Sequence, residues 1–211
     1  GYIVLLILCI ILITALYFFL NEKEAAGAPL IVLFSFLSIG LTIVSPNNAK
    51  ILLLFGEYKG SINQNGLYWV NPFFKKTTIS LRARNFESEK IKVNDKLGNP
   101  ILISVILVWR VKDTFKSSFE VDSYEDFIKV QTDSAVRKLA GSFPYDHFGD
   151  DTATISLSTN FDDVNKALEE EIIERMEIAG IEVIESRIAY LAYAPEIAHS
   201  MLRRQQASAI V

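Results

Sequence analysis

Side chains with the capacity for chemistry are few in this chain, and they are scattered. His147 and His199 lie far apart, and neither has a second ligand at metal-binding spacing. A zinc site needs such a set, so no metal is expected. Ser142, Asp146 and His147 come nearest to a nucleophile–base grouping, which would support acyl transfer if folding brought them into line. No G-x-S-x-G elbow, phosphate loop or dinucleotide fingerprint accompanies them. Cys9 sits in an apolar run, where a reactive thiolate is disfavoured. Glu169, Glu170 and Glu171 with Glu174 could hold a cation, but a solvated helix face gives the same pattern. The expectation is therefore no catalytic residue, no cofactor and no metal.

The residues whose types and spacing do carry information are Asp95, Gly98, Asn99 and Pro100. Asp, Asn, Gly and Pro supply the special backbone angles of a tight turn. A strand ends at Asn94 before them, and a long apolar strand runs after them from Ile101 to Val111. Ile101, Ile103, Val105, Leu107, Trp109 and Val111 share one face. Leu102, Ile106 and Val108 on the other face are also apolar. Such a strand belongs in the middle of a sheet covered on at least one side.

Composition separates two regions. Half of the 211 residues are hydrophobic, and the mean hydropathy is +0.27. The excess lies in residues 1–44, whose only charges are Glu22, Lys23 and Glu24. Residues 45–211 hold 20 basic and 23 acidic groups, a net of −3. A mildly acidic, mixed-charge domain gives no footprint for nucleic acid. The single cysteine permits no intramolecular disulfide. Beginning at Gly1 and stopping inside a helical pattern, the chain is read as a piece of a longer protein.

Tyr2 to Leu20 is nineteen residues without a charge, about 28 Å as a helix and enough for one hydrocarbon core. A buried core helix or a signal peptide are the rivals. Ala26-Gly27-Ala28 resembles a cleavage site, but the run exceeds the usual signal core and charged residues intervene. A second apolar segment, Ala28 to Val44, is expected as a helix with Pro29 in its first turn. The short link between the two allows only an antiparallel hairpin, either two spans or a wedge within one leaflet, and two spans are favoured. Ser35, Ser38 and Thr42 could line a helix contact. The hairpin loop has one Lys between two Glu, whereas Lys50, Lys59, Lys75, Lys76, Arg82 and Arg84 come after Val44. The positive-inside rule then expects a cell-membrane protein whose soluble domain is cytoplasmic.

The later elements are expected in the order strands, helices, strand, helix. Ser45 to Asn48 is a linker, Lys50 to Phe55 a strand and Gly56 to Gly66 a hairpin-like connection. Short strands come next at Gly66 to Pro72, Thr77 to Ala83 and Phe86 to Val93. Tyr68, Trp69, Phe73 and Phe74 are read as packing residues or, alternatively, as rings at the membrane interface. Asp113 caps a helix to Phe119. Ser123 caps another from Tyr124 to about Leu139, with Phe127, Val130, Ala135 and Leu139 as its stripe, Ile128 and Val136 beside it, and Gly141 as its stop. Asn160 caps a third that runs through Ala179 and is closed by Gly180, with Phe161, Val164, Leu168, Ile172 and Met176 on one side. Ile181 to Leu191 returns as a strand, and a last helix runs from Glu196 to Val211. That order is α+β.

Four segments carry a family likeness in this order: GLYWVNPF, VNDKLGNPILISVILVWRVKD, FEVDSYEDFIKVQTDSAVRKLAGSFPYD and APEIAHSMLRRQQASA. After an apolar hairpin they resemble the stomatin–prohibitin–flotillin–HflK/C (SPFH, or band 7) family. The D-x-x-G-N-P turn, the helix bearing Gln131, Ser134, Ala135 and Arg137, and the A-P-E-I-A helix start are the matching motifs. The resemblance implies a membrane hairpin over 1–44, a mostly antiparallel sheet with packed helices over 45–193, and the start of a long assembly helix over 194–211. It implies a non-enzymatic scaffold that forms large rings or cages organising membrane microdomains, or a regulatory subunit on a membrane protease or transporter. The partners so implied are further copies of the chain, the lipid bilayer and a membrane client. On the last helix, Met201, Leu202, Arg203, Arg204 and Gln205 are the expected oligomer contacts.

Overall fold

The computed structural model describes residues 1–21, 24–146 and 155–208. The chain is α+β and divides into two compact units, Gly1–Arg82 and Ala83–Val211.

In the first unit, helix α1 spans Tyr2–Leu20 and α2 spans Glu24–Ile39, packed as a helical hairpin. No charge interrupts α1, and most of its large side chains point outward; Leu8 and Ala15 are its buried residues. Gly27 of α2 is buried as well, and a Cβ there would meet the Phe19 ring at 2.7 Å. Small residues therefore let the two helices approach. The expected second helix, Ala28 to Val44, is corrected. α2 begins at Glu24, holds Pro29 inside it and stops at Ile39, and Leu41–Val44 is strand β1. Gly40 makes the break: its carbonyl accepts from Val70 N at 2.9 Å, so the chain enters a sheet instead of a further turn. Thr42 accordingly lies buried in a strand, Ser38 Oγ donates back to Phe34 O at 2.7 Å, and Ser35 is exposed.

β1 pairs antiparallel with β4 (Gly66–Trp69). β2 (Asn48–Leu54) lies between β3 (Glu57–Ile62) and β5 (Lys75–Ser80), all antiparallel. The Gly56 to Gly66 connection thus contains a strand of its own.

In the second unit, β8 (Pro100–Val111) is central. β6 (Arg84–Glu87) and β7 (Ile91–Asn94) pair with successive parts of one edge, and β9 (Ile181–Tyr193) runs the length of the other. The single strand expected from Phe86 to Val93 is two strands, because Ser88 breaks the alternation. Its N–H donates to Val105 O at 2.9 Å and its hydroxyl accepts from Val105 N at 3.0 Å, so a side chain fills one rung of the ladder. All six residues of the Ile101–Val111 face are at most 5% exposed.

That face is matched by helices. α3 (Thr114–Phe119) starts at Asp113, whose carboxylate accepts from Phe115 N and Lys116 N. α4 (Tyr124–Ser142) starts at Ser123, which accepts from Asp126 N. It runs through Gly141 and ends before Phe143-Pro144, because proline disfavours helix at the residue ahead of it. α4 buries Ile128, Thr132, Ala135, Val136 and Leu139, while Val130 is 64% exposed and lies off the stripe. α5 (Phe161–Met176) buries Val164, Leu168, Ile172 and Met176 completely. Phe161, expected with them, is half exposed, and Asn160 Oδ1 accepts from Ser156 N instead of capping α5. Burying each such aliphatic side chain contributes roughly 1.5–3 kcal/mol. α6 covers Pro195–Ser208, fourteen residues, and Lys92 Nζ reaches Glu196 at its first turn, 2.5 Å away.

Candidate functional site

The first unit offers a surface suited to a membrane. Trp69 comes from β4, and its indole N–H donates to Leu37 O at 2.9 Å, satisfying a carbonyl at the end of α2. A Cβ on Gly40 would stand 2.4 Å from that indole nitrogen, so only glycine allows the ring this close. Lys76 Nζ donates to Ile39 O at 2.6 Å and adds a cation where the helix dipole is negative. Partial burial, then the neighbouring Lys50, lowers the Lys76 pKa. Tyr68, Trp69 and Phe74 are half-buried. Phe73, by contrast, is 60% exposed and meets Phe36 of α2 edge-on, with ring centroids 5.5 Å apart. The four aromatic residues therefore divide: Trp69 locks the helix end, and Phe73 faces outward.

In the second unit, Asp95 is a hub rather than a turn residue alone. It is 4% exposed and its carboxylate accepts four N–H groups. Leu97 N (2.9 Å) and Asn99 N (2.7 Å) reach one oxygen, while Asn99 Nδ2 (2.9 Å) and Tyr145 N (3.0 Å) reach the other. Gly98, at φ 84, lets its N–H turn back to Asp95 O. Pro100 stands at the first position of β8, where its lack of an N–H costs no rung. Lys96 N donates to Phe143 O, so the turn also grips the end of α4. Next to it, Asp146 accepts from the Tyr193 hydroxyl at 2.6 Å, and the rings of Tyr145 and Tyr193 lie 4.0 Å apart. Burial, then the hydrogen bond to Asp146, pushes the Tyr193 phenol well above its ordinary value. That hydrogen bond ties the end of β9 to the segment that follows α4.

A second polar cluster joins α4 to α5. Arg175 donates from Nη1 to Gln131 Oε1 and Ser134 Oγ, both at 3.0 Å, and from Nε to Glu171 at 2.8 Å. Lys138 reaches the other Glu171 oxygen at 2.5 Å. The hydrogen bond from Lys138 holds the Glu171 carboxyl below its ordinary value, and Arg175 adds to this. Glu171 is thus saturated by cations, unlike a residue of a solvated face. Gln131 and Ser134 of the sequence motif share one partner, whereas Arg137 is exposed. Arg175 has no motif around it, and only its position one turn beyond Glu171 hints at a pair.

The remaining candidates do not converge. Ser142 is exposed and donates to Lys138 O, Asp146 is committed to Tyr193, and His147 lies outside the described residues. His199 is exposed on α6 and Cys9 on α1. Among the described residues, no group of three His, Cys, Asp or Glu is placed to hold a metal. On α6, Met201 is half-buried and Leu202 and Arg203 are exposed; Arg204 and Gln205 continue the same helix.

An apolar helix of membrane-spanning length therefore leads into antiparallel sheets and a helix-covered α+β layer. This is the architecture of a membrane-associated domain. The family model described as SPFH domain / Band 7 family matches residues 42–210, and the chain belongs to that family. Its members are generally membrane-associated scaffolds, typically non-enzymatic. No curated protein matches the chain.

Proposed function

We propose that the chain is a subunit of a membrane-anchored oligomeric scaffold, a ring or cage that organises membrane microdomains. The observation that supports this reading is the continuity of an exposed apolar hairpin with an SPFH domain whose match begins at residue 42. The hairpin anchors the chain in the cell membrane. Lys50, Lys59, Lys75 and Lys76 favour a cytoplasmic location for the domain attached to it. α6 supplies the contact between copies. Leu202, 54% exposed beside Met201 and Arg203, offers apolar area flanked by charge, as a helix packing on a neighbour requires. A membrane client, such as a protease, is the partner such an assembly encloses.

Cross-linking of the full chain in its membrane, then imaging of the detergent-extracted particle, tests the reading. Particles of many copies are expected, and Leu202→Asp should reduce them to small species. A population of only monomers and dimers before mutation would sink the proposal.

A further inference from the structure

β2 and β3 are joined by two residues, Phe55 and Gly56, with φ of 51 and 91. A two-residue loop with both φ positive strongly favours Asn-Gly. Gly56 fits, but Phe55 does not. A bulky residue in the left-handed region is strained, because its Cβ crowds the following carbonyl oxygen. Its ring is also 88% exposed. Backbone strain and hydration of a large apolar ring both oppose phenylalanine here, so a contact outside the chain is the natural compensation.

The path of the chain indicates what that contact is. β1 leaves the end of α2, the Pro46-Asn47 turn reverses direction, and seven residues of β2 run back, roughly 23 Å. The return brings Phe55 to 6.3 Å from the Phe73 ring, which itself meets Phe36 in the last turn of α2. The outward apolar surface of the helical hairpin therefore continues through Phe36 and Phe73 to Phe55, which are 40%, 60% and 88% exposed. Lys75 and Lys76 on β5 lie opposite Leu53 and Leu52, just behind the tip. From Ser45 to Arg82 the chain has five basic residues and one acidic one, a net of +4.

We propose that the Phe55 tip, backed by Phe73 and Phe36, inserts into the headgroup–acyl boundary of an anionic leaflet, with Lys75 at the level of the lipid phosphates. The inference rests on the reading of the α1–α2 hairpin as membrane-embedded. Aromatic rings are favoured at that boundary, and each nearby lysine adds attraction to an anionic surface. The tip thus fixes the depth of the sheet, whereas the hairpin only tethers it.

The test uses the full chain with Cys9→Ser and one new cysteine, Phe55→Cys, Ser45→Cys or Leu12→Cys, carrying an environment-sensitive fluorophore. Each protein is reconstituted in equimolar phosphatidylcholine–phosphatidylglycerol vesicles with or without a nitroxide lipid. Quenching at Phe55 and Leu12 with none at Ser45, which lies at the far end of β2, is the expected result. Quenching at Leu12 but not at Phe55 overturns the tip and leaves the membrane hairpin intact. No quenching at Leu12 removes the hairpin reading and this inference with it. Equal quenching at all three sites overturns insertion by the tip in favour of a sheet lying flat in lipid. In vesicles of phosphatidylcholine alone, the Phe55 signal should fall about twofold while Leu12 holds; an unchanged signal would overturn the lysine contribution. Phe55 and Ser45 are exposed and Leu12 is 37% exposed, and a helix content by circular dichroism equal to that of the unlabelled chain checks that each labelled protein keeps the fold.

Discussion

The two units use hydrophobic residues in opposite ways. Gly1–Arg82 turns many of its large apolar side chains outward, chiefly along α1 and α2 and at Phe55 and Phe73, and its six basic and three acidic residues give a net of +3. Ala83–Val211 turns them inward around β8, α4 and α5, and its fifteen basic and twenty-two acidic residues give a net of −7. A single mean hydropathy hides this division. The first unit has the surface of something to be solvated by lipid, and the second has the core of a water-soluble domain.

The contrast is open to direct attack, because each unit holds one of the two tryptophans, Trp69 and Trp109. The largest effect is expected from Asp95→Ala, which strands four N–H donors around a buried site. A loss of about 3 kcal/mol is expected, seen as a shift of the urea transition of Trp109 in a Trp69→Phe background. An equal shift of the Trp69 transition, read in a Trp109→Phe background, would show that the units do not fold separately. Arg175→Ala should cost about 2 kcal/mol, and Arg175→Lys should recover only part, because an ammonium cannot serve Gln131, Ser134 and Glu171 together. The same cluster sets an acid limit. The Glu171 carboxyl is depressed in the folded state, so its contribution is complete above its ordinary value of 4.5 and is lost as pH falls through the lower folded value. Glu171→Gln should flatten that part of the stability–pH curve, and an unchanged slope would dismiss the cluster.

Smaller effects come from backbone alone. A Cβ at Gly98 meets nothing within 4 Å, so Gly98→Val should cost only the left-handed conformation, roughly 1–2 kcal/mol, with the fold retained. Gly98→Asn should cost less. Smallest of all, Phe55→Asn in detergent should leave the Trp69 transition unchanged or raise it by up to about 1 kcal/mol, since asparagine tolerates the turn. A large loss there would mean that the ring supports its own unit.

Much of the architecture is legible from local signals. The uncharged run of α1, the buried face of β8 and the Asp113 and Ser123 caps are written in neighbouring residues. The errors have a common cause. β1 is as apolar as the helix before it, and only its partner β4 makes Leu41–Val44 a strand. Val130 and Phe161 have the residue type of a core but stand on the wrong side of their helices. Asp95 shows the division within one residue. Its bonds to Leu97 and Asn99 stem from turn chemistry, whereas the one to Tyr145 joins positions that only the fold brings together. By its letters Phe55 is the end of a strand, and nothing in the residues around it signals its left-handed φ.

β8 has a consequence for how the second unit opens. Among the described residues, β6, β7 and β9 each pair with β8 and not with one another, so any of them can detach without breaking the ladders of the other two. The loss of β8 ends all three. Amide hydrogen exchange would therefore be graded: the four-residue strands β6 and β7, and the β8 amides bonded to that edge, such as Val105, release their protons through local opening, while the β8 amides bonded to the long strand β9 exchange only when the whole unit unfolds. The central strand is thus the clock for the lifetime of the domain.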